Sequence, residues 1–214
     1  MFYKGEIKNM NGTLLTMDQA YSKYLKALLW MFLATIGGMA LGNIMPGIYL
    51  IAAIASLVLC IVMAFSKGTT KFVTTMLFSV TMGVTLEATL SMYQMDSIML
   101  ALGITLADVM ICAYLALRPG ANFLGLGKIL FFSLIGVIIY EIVGIFLSLP
   151  AVHGIVIAIF TCYMLYDINK TKLLIDEYGD NVPSDLVLHQ AAQLYLDIIN
   201  VFLRILRLLG KSRD

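Results

Sequence analysis

Charge is scarce in this sequence. Only 13% of its 214 residues are charged while 61% are hydrophobic, and the mean hydropathy is +0.93. A soluble domain of this length could not keep so much apolar surface from water, so that class is excluded and an integral membrane protein is expected. A net charge of +1 with no basic block excludes a nucleic-acid binder, which needs clustered Lys and Arg to meet phosphates. The three cysteines, Cys60, Cys112 and Cys162, lie one each in separate apolar runs. They lack the short spacings of zinc or redox sites and are expected to pack as small hydrophobes. No apolar stretch occupies residues 1–20, so no signal peptide of the usual form is expected there and the first membrane segment directs insertion. No internal repeat is visible by eye.

What is present is a series of apolar runs about 20 residues long, at 24–44, 47–66, 71–92, 97–117, 126–148, 151–173 and 186–208. Each is long enough for a ~30 Å hydrocarbon core at about 1.5 Å per residue. The expected fold is an all-α integral membrane protein of seven transmembrane helices. Residues 1–20 form a cytoplasmic N-terminal segment and 21–214 a single transmembrane domain. Only Asn169 to Asp185 is a longer connection, and its Asp176, Glu177, Gly179, Asp180, Asn181 and Pro183 predict a polar, turn-forming break. With the N-terminus inside, Lys4, Lys8, Lys23, Lys26, Lys67, Lys71, Arg118, Lys128, Lys170 and Lys172 face the cytoplasm, and Arg204, Arg207, Lys211 and Arg213 the other side. The excess favours that orientation. The basic tail breaks the tendency locally, and a re-entrant last segment would return it to the cytoplasm. Gly38 and Gly42, four apart in the first run, suit close approach of another helix.

Against this background Glu87, Asp108, Glu141, Asp167 and Asp197 sit inside or at the ends of apolar runs, with no Lys or Arg expected deep enough to neutralise them. An ionised carboxylate in hydrocarbon costs roughly 3 kcal/mol by insertion scales and more by simulation, so each must face a bundle interior, a water-filled cavity or a cation. Helical rise places Glu87 and Glu141 roughly 22 Å above the inner surface, Asp108 near mid-membrane, and Asp167 and Asp197 both in the inner half on consecutive helices. For any single acid, a hydrogen bond to Ser, Thr or Tyr is the competing explanation.

The last run carries the clearest pattern. Gln190, Gln193, Asp197, Asn200 and Arg204 recur every three or four residues and share one helix face, as do Tyr163, Asp167 and Lys170 on the run before, with Tyr166 and Asn169 adjacent. If those faces meet, two carboxylates at close range cannot both ionise cheaply. They then hold one proton between them and respond to pH near neutrality. Ca²⁺, which takes carboxylate, amide and water oxygens, can replace that proton, making Asp167 and Asp197 candidate metal ligands as well as pH sensors. His153 and His189 are interfacial candidates for tuning that response.

Two strings carry a resemblance: Tyr163-Met164-Leu165-Tyr166-Asp167-Ile168-Asn169, and Leu194-Tyr195-Leu196-Asp197-Ile198-Ile199-Asn200-Val201-Phe202. With the order and spacing of the runs, they resemble the Bax inhibitor, or transmembrane Bax-inhibitor-motif, family, and the chain is identified as a member of bacterial type. The resemblance implies six helices around a central seventh and a calcium leak that responds to pH. It also implies a hydrogen-bonded pair, Asp167 with Asp197, whose protonation is coupled to closing and opening. The chain departs from the family where a Gly-Pro pair is common in the third helix and Glu87-Ala88 stands here. Of the basic cluster that in some members latches onto the aspartates, only Lys67 and Lys71 remain on the inner side; Lys67 and Arg204 are the candidate latch residues.

Three functional classes follow. The first is a cation leak for Ca²⁺ in the bacterial cell membrane, gated by Asp167 and Asp197, with Glu87, Asp108, Glu141 and Asn200 as candidates for its path. The second is a regulatory protein that binds a membrane protease or another partner. An intramembrane aspartyl protease is the third and is disfavoured, because Leu194-Tyr195-Leu196 precedes Asp197 in place of a Gly-x-Gly run and no Pro-Ala-Leu follows. The expectation is therefore no enzyme and no cofactor. The partners are the lipid bilayer, Ca²⁺ and H⁺, with no nucleic acid, and a monomer is favoured.

Overall fold

In the computed structural model, residues 14–45, 47–147 and 150–213 are described. Most of the expected N-terminal segment, including Lys4 and Lys8, lies outside the described residues. Seven α-helices follow in order: α1 (Met17–Ile44), α2 (Tyr49–Phe65), α3 (Gly68–Leu90), α4 (Met95–Ala116), α5 (Gly127–Leu147), α6 (His153–Tyr178) and α7 (Ser184–Leu209). Each expected run coincides with one helix, and the protein is an all-α membrane protein. By length and composition α1, α3, α4, α7 and the stretch Leu124–Gly144, which covers most of α5, can cross a membrane, and α2 is a shorter apolar helix.

By its contacts the chain forms two compact units, Met1–Met92 with Ile175–Ala192, and Tyr93–Leu174 with Gln193–Asp214. In the first unit α1 packs along α3, and α2 packs on α3 as well. The α1–α3 crossing is set by glycines: a Cβ at Gly38 would run into the Val80 carbonyl and one at Gly83 into the Thr35 carbonyl, while Gly42 lies against Val84 and Glu87. These small residues let two backbones touch, as the Gly38–Gly42 spacing suggested. Helix α3 holds many hydroxyls for an apolar setting. Thr74, Thr75, Ser79, Thr81 and Thr85 each donate to a carbonyl three or four residues back, so none needs water.

Helix α1 starts earlier than the apolar run because Thr16 and Gln19 form a capping box, each side chain bonded to the other's backbone N–H. Thr16→Ala should cost about 1 kcal/mol of local stability, seen as faster hydrogen exchange over residues 17–20 with the rest unchanged; equal exchange would refute the box.

One expectation about the link between α6 and α7 needs correction. The polar break expected over 169–185 is shorter, because α6 continues to Tyr178 and carries Asp176 and Glu177 as helical residues. Neither acid interrupts a helix. Gly179, at φ +56°, reaches the left-handed conformation that ends one. Beyond it Val182–Pro183 pairs antiparallel with Leu14–Leu15, strands β2 and β1, which no periodicity signalled. The last segment, α7, is one unbroken helix of 26 residues. It is the most buried of the candidate spans, at 61% of its most apolar window against 6–44% for the others.

The end of α6 and the start of α7 are tied down within the first unit. Lys23 Nζ donates to Ser184 Oγ, the Gly68 N–H donates to Asp185 Oδ2 at 2.8 Å, and Tyr21 Oη donates to Asp176 at 3.5 Å.

Candidate functional site

In the second unit the polar faces anticipated on α6 and α7 meet. Phe160, Tyr163 and Asp167 of α6, Gln193, Leu196, Asp197 and Asn200 of α7, and Leu134 of α5 line one cleft of about 290 Å³. Helical spacing makes this possible: 160, 163 and 167 fall on one stripe, and 193, 197 and 200 on another. Asp167 and Asp197 are only 3% and 6% exposed, and their carboxyl groups lie close enough to interact.

Two carboxylates offer no proton to each other, so that contact becomes a hydrogen bond only when one of them is protonated. The acceptors around the pair are under-supplied. Asp197 Oδ2 and Gln193 Oε1 are buried without a hydrogen-bond donor, and Asn200 turns its amide nitrogen back to the Leu196 carbonyl at 2.9 Å. Orphaned oxygens at this depth call for a proton or a cation. Lys170, on the same helix as Asp167, lies with its ammonium 5.7 Å from the Tyr166 ring centroid.

The other sequence candidates lie apart from the cleft lining. Asp108 accepts a hydrogen bond from Thr161 Oγ1 at 2.7 Å and a weak one from the Cys112 thiol, which is the competing explanation given for a lone intramembrane acid. Glu141 corrects the expectation that no basic side chain reaches the acids. Arg204 is ion-paired with it at 2.5 Å, the long stem of the arginine carrying its charge from α7 to α5. Arg204, a candidate latch for the aspartates, is thus engaged by Glu141. In the first unit, Glu87 lines a groove of about 450 Å³ with Asn43, Tyr49 and Ser91, and Lys67 is exposed at the N-cap of α3. His153 Nδ1 is buried without a partner. Among the described residues no three His, Cys, Asp or Glu converge, so a cation at the pair would draw on amide and water oxygens as well.

Asn169 has a role that its position in the row did not reveal. Fully buried, its amide accepts from the Phe123 N–H at 2.8 Å and donates to the carbonyls of Ala116 and Ala121 at 2.9 and 3.1 Å. Lys172, one turn on, donates to the Arg118 carbonyl at 3.1 Å. Together they bind the α4–α5 connection to α6 just beyond Asp167. Sequence gives little warning of this, because the partners are backbone groups about 50 residues away.

An all-α membrane protein with a buried pair of carboxyl groups on its last two helices is the class these features define. Its family is shown by comparison: residues 16–214 match the family described as inhibitor of apoptosis-promoting Bax1, and the chain belongs to it. The inner membrane protein YbhL of Escherichia coli K12 is 31% identical over 171 residues, 75% of this chain and 73% of that protein. A BI1-like protein of Arabidopsis thaliana is 32% identical over 179 residues, 78% of this chain and 66% of that protein. An uncharacterized protein of Helicobacter pylori J99 is 31% identical over 171 residues, 75% and 71% of the two chains.

Proposed function

We propose that the protein is a pH-sensitive calcium leak, a conduit with no enzymatic step, gated by the proton shared between Asp167 and Asp197. On this reading all seven helices cross a bacterial cell membrane, with the N-terminus in the cytoplasm and α7 enclosed by the other six. The charge distribution and the inner-membrane description of YbhL support that placement. The observation that carries the reading is the buried carboxyl pair in a cleft whose neighbouring oxygens lack donors.

At acidic pH one proton bridges the two carboxyls and ties α6 to α7. As pH rises both ionise, like charges repel, and the opened cleft presents carboxylate and amide oxygens to Ca²⁺. Gln193 and Asn200, on the same stripe as Asp197, supply neutral oxygens as the cation passes. Asp108 and Glu141, held by Thr161 and Arg204, keep the surrounding helices in register, and Glu87 offers a carboxylate to cations in its groove.

Ca²⁺ influx into dye-loaded proteoliposomes between pH 5 and 8 tests this. Flux should rise with pH in the intact protein and lose its pH dependence in Asp167→Asn and Asp197→Asn, because an amide neither shares a proton nor ionises. An unchanged profile in the double variant would eliminate the gate. No flux at any pH from folded protein would instead favour a regulatory protein that binds a membrane partner such as a protease.

A further inference from the structure

We infer that a groove at the start of α1 is a binding site for an anionic phospholipid, seated with its phosphate on Lys23 and Lys26 and its acyl chain against Trp30. This site belongs wholly to the first unit and does not depend on the leak. The groove has a volume of about 470 Å³ and is lined by one face of α1, by Phe72 of α3 and by Leu188 of α7.

Its lining changes character in one direction. Along α1, Asp18 and Gln19 stand on the first turn, Ser22 and Lys23 on the second, Lys26 and Ala27 on the third and Trp30 on the fourth, with Phe72 and Leu188 completing the apolar part. That order of polar, cationic and apolar walls matches an amphiphile with a negative headgroup. A soluble anion would leave the apolar part unused, and a neutral lipid would leave the lysines unmatched. Lys23 is positioned by its hydrogen bond to Ser184. Lys26 is exposed, and no partner for it is found among the described residues. Asp18 does not cancel them, because it lies in the first turn of α1, where the helix end already favours a negative charge. Trp30 and Phe72 are 57% and 47% exposed. Tryptophan favours the membrane–water boundary, and lysines beside it draw anionic headgroups.

Trp30 is the only tryptophan in the sequence, so native fluorescence reads this groove alone. The full-length protein is reconstituted in mixtures of phosphatidylcholine and phosphatidylglycerol in which one lipid or the other carries brominated chains. Quenching then gives the relative affinity of the two lipids at Trp30. Phosphatidylglycerol should be preferred at low salt, with the preference falling about fivefold in Lys26→Gln and about thirtyfold in Lys23→Gln/Lys26→Gln. Lys26→Gln touches no hydrogen bond, so it remains informative should the double variant fail to fold. Equal quenching by both lipids in the intact protein, or a preference untouched by Lys26→Gln, would overturn the proposal. So would displacement by soluble glycerol phosphate, which would make this a site for free phosphate esters and not for lipid.

Discussion

Alanine at Gly38 or Gly83 should sharply reduce the fraction of detergent-solubilised protein that stays monodisperse after heating, whereas alanine at neighbouring Gly37 should leave it unchanged or raised. At Gly38 and Gly83 the added methyl group meets a backbone carbonyl of the facing helix, and a backbone cannot rotate away as a side chain can. Parting α1 from α3 to admit it costs about 3 kcal/mol or more, beyond the roughly 1 kcal/mol that alanine gains over glycine in a helix. Nothing lies within 4 Å of a Cβ at Gly37, so only the gain remains there. Equal losses at Gly37 and Gly38 would mean that the helices do not cross at this point.

Asn169→Ala should have a comparable effect by a different route. The substitution leaves the Phe123 N–H and the Ala116 and Ala121 carbonyls without their side-chain partner. An unsatisfied buried group costs about 1–3 kcal/mol and a half-buried one less, so with only the Ala116 bond fully buried the sum is about 2–3 kcal/mol. Asn169→Asp should be worse, because it turns a donor into a charge facing two carbonyls. Hydrogen exchange across 117–126 should accelerate in both variants. Unaltered protection there would show that the α4–α5 connection holds itself together.

How far these features could be read in the sequence varies with their physical origin. The helices were legible because each is an apolar run bounded by polar or turn-forming residues, and the cleft because Tyr163, Asp167, Gln193, Asp197 and Asn200 keep helical spacing. Ends and partners were harder. Thr16 and Gln19 extend α1 by local hydrogen bonds that hydropathy does not register. Asp176 and Glu177 look like loop residues by polarity, yet a helix tolerates them until Gly179. The pairing of Arg204 with Glu141 and of Thr161 with Asp108 depends on how helices are rotated toward one another. That rotation is a property of the packed bundle and of no single segment.

The interleaving of the two units bears on how the protein is made. Each unit is completed by a piece of α7, residues up to Ala192 for one and from Gln193 for the other. As the chain leaves the ribosome, α1 to α3 therefore enter the membrane without the segment that Lys23 and Gly68 bind. The helices α4 to α6 likewise emerge without the partner of Asp167, because Asp197 lies on α7. Neither half can mature early. A chain ending before residue 184 would lack the last piece of both units.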